Sequence, residues 1–199
     1  MTIAVLPVLS YVLISTFTPG PSNISSASVA SLHGYRNTLI YQGGQAAGVF
    51  TIMLLSGWVS AALLHIFPIL EPVLRYAGAA YILYLAFSIL KASYAFNDGD
   101  AGRPLGFVHG FAVNILNPKL IVYAFTLFSA FLAPVSGHAA LLAAAALVLA
   151  AISFAATSLW AVFGTAIKNY LHNPRVKTAV NILLTLFLVY AAVELTGVM

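Results

Sequence analysis

The sequence predicts an all-α membrane protein, a polytopic chain of six transmembrane helices arranged as a 3+3 inverted repeat with broken first and fourth helices. Three observations carry this. Of 199 residues, 62% are hydrophobic and 6% are charged, with a mean hydropathy of +1.01, whereas a soluble domain needs roughly 25% charged residues to cover itself. The apolar residues fall into six stretches, each near the ~20 residues that cross ~30 Å of hydrocarbon. Proline interrupts two of those stretches in matching places, at Pro19-Gly20-Pro21 and at Asn117-Pro118-Lys119. The offset from Pro19 to Pro118 is 99 residues, half the chain.

The first span, about 3–27, is uncharged and carries its break near the end, followed by a serine-rich run. The connection His33-Gly34-Tyr35-Arg36-Asn37 holds the first charged residue of the chain. Span two, about 39–64, contains Gly43, Gly44 and Gly48, and small residues let helix backbones approach closely in a membrane. Helix packing is the reading for all three glycines. Phe67-Pro68 precedes span three, about 69–93, where Glu71 and Arg75 stand one helical turn apart and form a structural pair. After the polar turn at 97–100, span four covers about 105–133 and holds the second break. Ser136-Gly137-His138 leads into the alanine-rich span five, about 138–167. His172-Asn173-Pro174 leads into span six, about 178–198, which contains Glu194, the one carboxylate inside a span away from its start. The whole chain, 1–199, reads as a single domain with half-repeats of about 1–97 and 98–199.

Lys and Arg in the short loops set orientation. Arg36, Lys91, Arg103, Lys168, Arg175 and Lys177 all fall on one side, against Arg75 on the other. Those loops are therefore cytoplasmic and both termini lie outside. The formal net charge of +4 is made of scattered single residues, not the clustered stripe that nucleic acid requires. There is no cysteine, and the histidines at 33, 65, 109, 138 and 172 lack metal-ligand spacing, so no metal or cofactor is expected. No basic region precedes the first apolar run, so that run reads as a span and not as a cleaved leader.

Three helices in each half make the second half enter the membrane from the opposite side. Interrupted helices in corresponding positions of such repeats point to the transport pathway. At ~1.5 Å per residue the first break lies ~24 Å into its helix and the second ~20 Å, on opposite sides of the midplane, where each would act as a thin gate. A break exposes backbone that lipid cannot satisfy. The stub before it presents carbonyls that suit a cation, and the stub after it presents N–H groups that suit an anion. Pro21 and Pro118 fit first helical positions, with Gly20 and Asn117 as N-caps. A small zwitterionic amino acid matches this pairing of helix ends. Ser22, Asn23, Asn114 and Asn117 supply hydrogen bonds, with Pro19, Gly20, Pro21 and Pro118 shaping the gates. Lys119, an ionisable residue in mid-span, is a functional candidate by default. It either neutralises a substrate carboxylate or carries a coupling proton, a role for which Glu194 is the other candidate. Tyr76, Tyr81, Tyr84, Tyr123 and Trp160 offer aromatic faces to an ammonium, although belt and core duty is the commoner use.

Four segments resemble one known family: "TPGPSNI" at 18–24, "SLHGYRN" at 31–37, "AGAAYILYLAFSIL" at 77–90 and "NPKLIVYAFTLFSAFLAP" at 117–134. They are similar to the lysine-exporter superfamily, and within it to the threonine/homoserine and cysteine/O-acetylserine efflux branches. The resemblance implies a bacterial inner-membrane exporter of amino acids or their derivatives, driven by the proton-motive force. Pro118 departs from the cysteine-exporter pattern and Ser22 falls where the family varies, so the branch stays open. The expected partners are a small zwitterionic substrate, protons, membrane lipid and, where the chain oligomerises, further copies of itself. A channel is the alternative, although no filter-like repeat is visible. An intramembrane enzyme is disfavoured, since neither Ser56-Gly57 nor Ser136-Gly137 has a partner histidine and acid at suitable depth.

Overall fold

The computed structural model describes residues 5–58 and 105–168, together with 76–77, 79–80, 83–84, 86–87, 178–179, 182–183, 185–186, 188–190 and 192–193. Among the described residues every regular element is helical and none is a strand. That follows from the solvent, because backbone in hydrocarbon has to satisfy its own polar groups. Glu194, Glu71, Arg75, Lys91, Arg103, Arg175, Lys177 and the turn at 97–100 lie outside the described residues.

Helix α1 (Val5–Phe17) stops just before Thr18-Pro19, because a proline disfavours helix in the residue before it and cannot donate to the ladder. Helix α2 (Pro21–His33) restarts on a proline, with Gly20 extended at φ −171° as its N-cap. It runs six residues past the expected end of the first span. The predicted loop at 33–37 shrinks to Gly34, whose φ of +83° is a conformation that glycine adopts without steric cost. The Gly34 N–H closes α2 on the Ala30 carbonyl at 2.8 Å, and α3 (Tyr35–Trp58) begins at the next residue. Local turn chemistry marked the right place, but one glycine was enough to make the corner.

Helix α4 (Phe107–Ile115) ends at Leu116, and α5 (Pro118–Thr126) starts on the second proline. The two stubs, Phe107–Ile115 and Pro118–Ser129, are bent by 61°. A π-helical turn at Leu127–Phe131 follows, closed by the Leu132 N–H on the Leu127 carbonyl at 2.8 Å. Short α6 (Ala133–Ser136) and the connection Gly137-His138 then lead into α7 (Ala139–Lys168). Two helices, Tyr35–Trp58 and Ala139–Ala166, are each long and apolar enough to cross a membrane, and the bent pair makes a third if taken as one span.

Helix α3 is central, packed between α4 and α7, while α2 lies mainly against α7. In its most apolar window α3 is 50% buried and α7 only 28%, so α7 is the more peripheral of the two. A core of Val12, Val49, Met53, Leu120, Ala124, Leu127, Phe128 and Ala146 joins α1, α3, α5 and α7. Ile24 and Leu32 on α2 pack instead with Ala79, Ala86, Leu188 and Ala192. The α3–α4 contact is close because two glycines face each other's backbone. A Cβ on Gly44 would overlap the Phe107 carbonyl, and one on Gly110 would overlap the Tyr41 carbonyl. At Gly48 a Cβ would lie 2.9 Å from Asn114 Cβ. Gly43 differs: among the described residues nothing lies within 4 Å of its Cβ position. It sits one residue, ~100° of helix turn, away from the packed stripe.

Candidate site at two facing helix breaks

The end of α1 leaves a run of carbonyls without helical partners, and each finds a donor from elsewhere. The Thr18 hydroxyl donates to the Ser15 carbonyl at 3.3 Å. Asn23 Nδ2 donates to the Thr16 and Thr18 carbonyls, both at 2.9 Å. Trp160 Nε1, from α7, donates to the Phe17 carbonyl at 3.3 Å. Lys119 Nζ, from α5, donates to the Pro19 carbonyl at 3.4 Å and to Thr18 Oγ1 at 3.3 Å. Five consecutive carbonyls are thus satisfied by four side chains. A buried backbone group without a partner would cost about 1–3 kcal/mol, which is why these side chains converge on the break.

The N-terminal stubs differ. Asn117 caps α5, its Oδ1 accepting from the Lys119 N–H at 3.1 Å. Gly20 has no side chain with which to cap α2, so the first turn of α2 presents its N–H groups with the partial positive charge of a helix start. Around the cavity stand the negative end of α1, the positive end of α2 and the Lys119 ammonium.

The breaks also touch through side chains. The Ser22 hydroxyl donates to Asn114 Oδ1, and Asn114 Nδ2 donates to the Gln45 carbonyl at 2.7 Å. Gln45 is 1% exposed and organises the junction. Its Nε2 donates to the Ser22 carbonyl at 3.0 Å and to Ser25 Oγ at 3.3 Å, and its Oε1 accepts from the Ser26 hydroxyl at 2.7 Å. Tyr41 OH donates to Ser25 Oγ at 2.8 Å. Ser25, Ser26, Ser28 and Ser31 are therefore packed inside the bundle and do not line an open mouth. One turn before Gln45, Gln42 is fully buried, and neither of its amide atoms has a hydrogen-bond partner among the described residues.

A cavity of about 60 Å³ opens between the breaks, and Gly20, Pro21, Ser22, Asn23, Asn114, Asn117 and Lys119 line it. Pro19 enters through its carbonyl, and Pro118 is buried at the start of α5. Counted along upright helices, the two breaks fall on opposite sides of the midplane as separate gates. In the fold they are two walls of one cavity, with α4 and α5 bent by 61° at the second break. Asn23 and Asn114 spend their amide donors on backbone carbonyls, so positioning the breaks is their observed duty. The Nδ2 of Asn117 and the Oδ1 of Asn23 enter no hydrogen bond among the described residues.

Sequence reasoning missed Gln45 and the wall residues Ser15, Thr16 and Ser153, which also line the cavity with Tyr123. The signal for Gln45 was present, since an amide in mid-span is a strong helix-joining group. Trp160, considered for its ring face, acts through its N–H. Among the described residues there is no metal-binding group of three or more His, Cys, Asp or Glu, and none that lines the cavity is a carboxylate. The partners described for a cation here include a backbone carbonyl and a hydroxyl.

Comparison with known proteins places the chain among translocators. The model of the LysE type translocator family matches residues 13–197. The cysteine/O-acetylserine efflux protein of Escherichia coli (strain K12) is 34% identical over 186 residues, covering 94% of each chain. The protein of the same name from Salmonella typhimurium (strain LT2) is 34% identical over 187 residues, again covering 94% of both. No solved structure matches.

Proposed function

The chain belongs to the LysE type translocator family, and from that premise we propose that it exports small zwitterionic amino acids of the cysteine/O-acetylserine type. It is a transporter and not an enzyme. The name shared by the two relatives favours cysteine and O-acetylserine over threonine and homoserine as the substrate class. The site is the bacterial inner membrane, the driving force is the proton-motive force, and both termini lie outside. The six-span architecture with half-repeats of about 1–97 and 98–199 is part of the same reading, supported by two helices that restart on Pro21 and Pro118.

One observation carries the proposal: the two breaks meet at a single polar cavity lined by opposite helix ends. The substrate ammonium goes to the carbonyl end of α1, where the Thr18 hydroxyl and Pro19 carbonyl already hold one ammonium group. The carboxylate goes to Lys119 and the uncapped start of α2. Helix termini bind ions in this sense because their unpaired N–H and C=O groups carry the macrodipole's charge. Asn117 Nδ2 and Asn23 Oδ1 offer further hydrogen bonds from the walls. Lys119, or Glu194 beyond the described residues, carries the proton.

Amino-acid profiling inside and outside cells, with and without the protein overproduced, tests the reading. A specific rise of cysteine and O-acetylserine outside, abolished by an uncoupler, is expected. An unchanged profile overturns it, and export that only follows the gradient makes the protein a channel.

A further inference from the structure

We infer that Lys119 is a tethered substitute for the substrate's ammonium group. It occupies the ammonium position in the empty carrier and vacates it when substrate enters. The inference rests on the proposed substrate position between the breaks.

The geometry is specific. Lys119 Nζ lies 3.4 Å from the Pro19 carbonyl and 3.3 Å from Thr18 Oγ1, at the negative end of α1. The lysine stem passes Gly20, where a Cβ would stand 3.4 Å from Nζ and 3.9 Å from Lys119 Cδ. With the lysine in this place the cavity measures about 60 Å³. The substrate ammonium and the Lys119 ammonium are the same chemical group seeking the same carbonyls, the Pro19 carbonyl and its neighbours at the end of α1.

The consequence concerns the return step. An exporter must reset without cargo, and an empty cavity would carry the carbonyl end of α1 uncompensated across a low-dielectric interior, which is unfavourable. A lysine on those carbonyls completes the site and lets the empty protein close as the loaded one does. When substrate arrives, its ammonium takes the carbonyls and Lys119 turns to its carboxylate. One side chain thus serves both halves of the cycle, and its first role is what makes net export differ from obligatory exchange.

The test uses full-length protein in proteoliposomes, with reduced radiolabelled L-cysteine and O-acetyl-L-serine at saturating concentration. Two rates are compared for wild type and Lys119→Met: exchange against substrate on the other side, and net efflux into substrate-free buffer. The ratio of the two is independent of how much protein inserts. Net efflux is expected to fall about ten-fold or more relative to exchange, the factor that follows loss of a hydrogen bond to a charged group. Lys119→Arg, which keeps a cation, should fall less. If Lys119→Met lowers both rates equally at saturation, the lysine serves only the loaded form; the inference is overturned while the substrate position stands. If neither rate changes, the inference falls together with the substrate position.

Discussion

Removing the Asn23 side chain should destabilise the break in α1, through lost hydrogen bonds and not through lost volume. Asn23 is 5% exposed, and its amide serves the Thr16 and Thr18 carbonyls at 2.9 Å each. Side-chain hydrogen bonds within membranes average ~0.6 kcal/mol and reach ~1.7, so two bonds give roughly 1–3 kcal/mol for Asn23→Ala. The upper half of that range applies if the orphaned carbonyls stay buried, since an unsatisfied group costs about 1–3 kcal/mol by itself. Asn23→Leu separates the causes because it restores bulk without a donor. Both variants should unfold earlier than wild type when detergent-solubilised protein is titrated with a denaturing detergent and followed by loss of helical signal. An Asn23→Leu protein as stable as wild type would refute the assignment of Asn23 as the cap of α1.

Two further outcomes follow from the packing. Gly44→Ala should lose roughly 1–3 kcal/mol, because overpacking a filled contact forces the backbones apart, whereas Gly43→Ala should be neutral or gain up to ~1 kcal/mol from helix propensity; thermal unfolding in detergent distinguishes them. Gln45→Leu should destabilise the α2–α3 contact by roughly 1–3 kcal/mol, since its removal strands the Ser22 carbonyl and the Ser26 hydroxyl on α2. Gln42→Leu should leave stability unchanged or raise it, because its buried amide has no partner to lose among the described residues. A Gln42→Leu protein that unfolds as early as Gln45→Leu would contradict the placement of these two side chains.

Much of the site was legible because its signals are local. A proline lacks its N–H wherever it sits, so the restarts at Pro21 and Pro118, with their Gly20 and Asn117 caps, could be read from a few residues. Lys119 stood out because an ionisable group in an apolar run is expensive in lipid, whatever it touches. Gly43, Gly44 and Gly48 were read together as packing residues on composition alone, which does not say which way a helix faces; the close backbone contacts are at Gly44 and Gly48. Gln45 and Ser153 were passed over for the same reason, their importance lying in what stands opposite.

The sequence by itself determined that the chain lies in a membrane, where its helices are interrupted, and which charge sits at the second interruption. These are properties of short segments in a given solvent, fixed by hydropathy and by the chemistry of proline, glycine and lysine. Only the tertiary structure decided that the two interruptions face each other. A distance between segments depends on helix tilt, on the 61° bend between Phe107–Ile115 and Pro118–Ser129, and on the glycine contacts that draw α3 against α4. The serines after Pro21 turned inward for the same reason: hydroxyls in a membrane seek partners, and the fold placed Gln45 and Tyr41 within their reach.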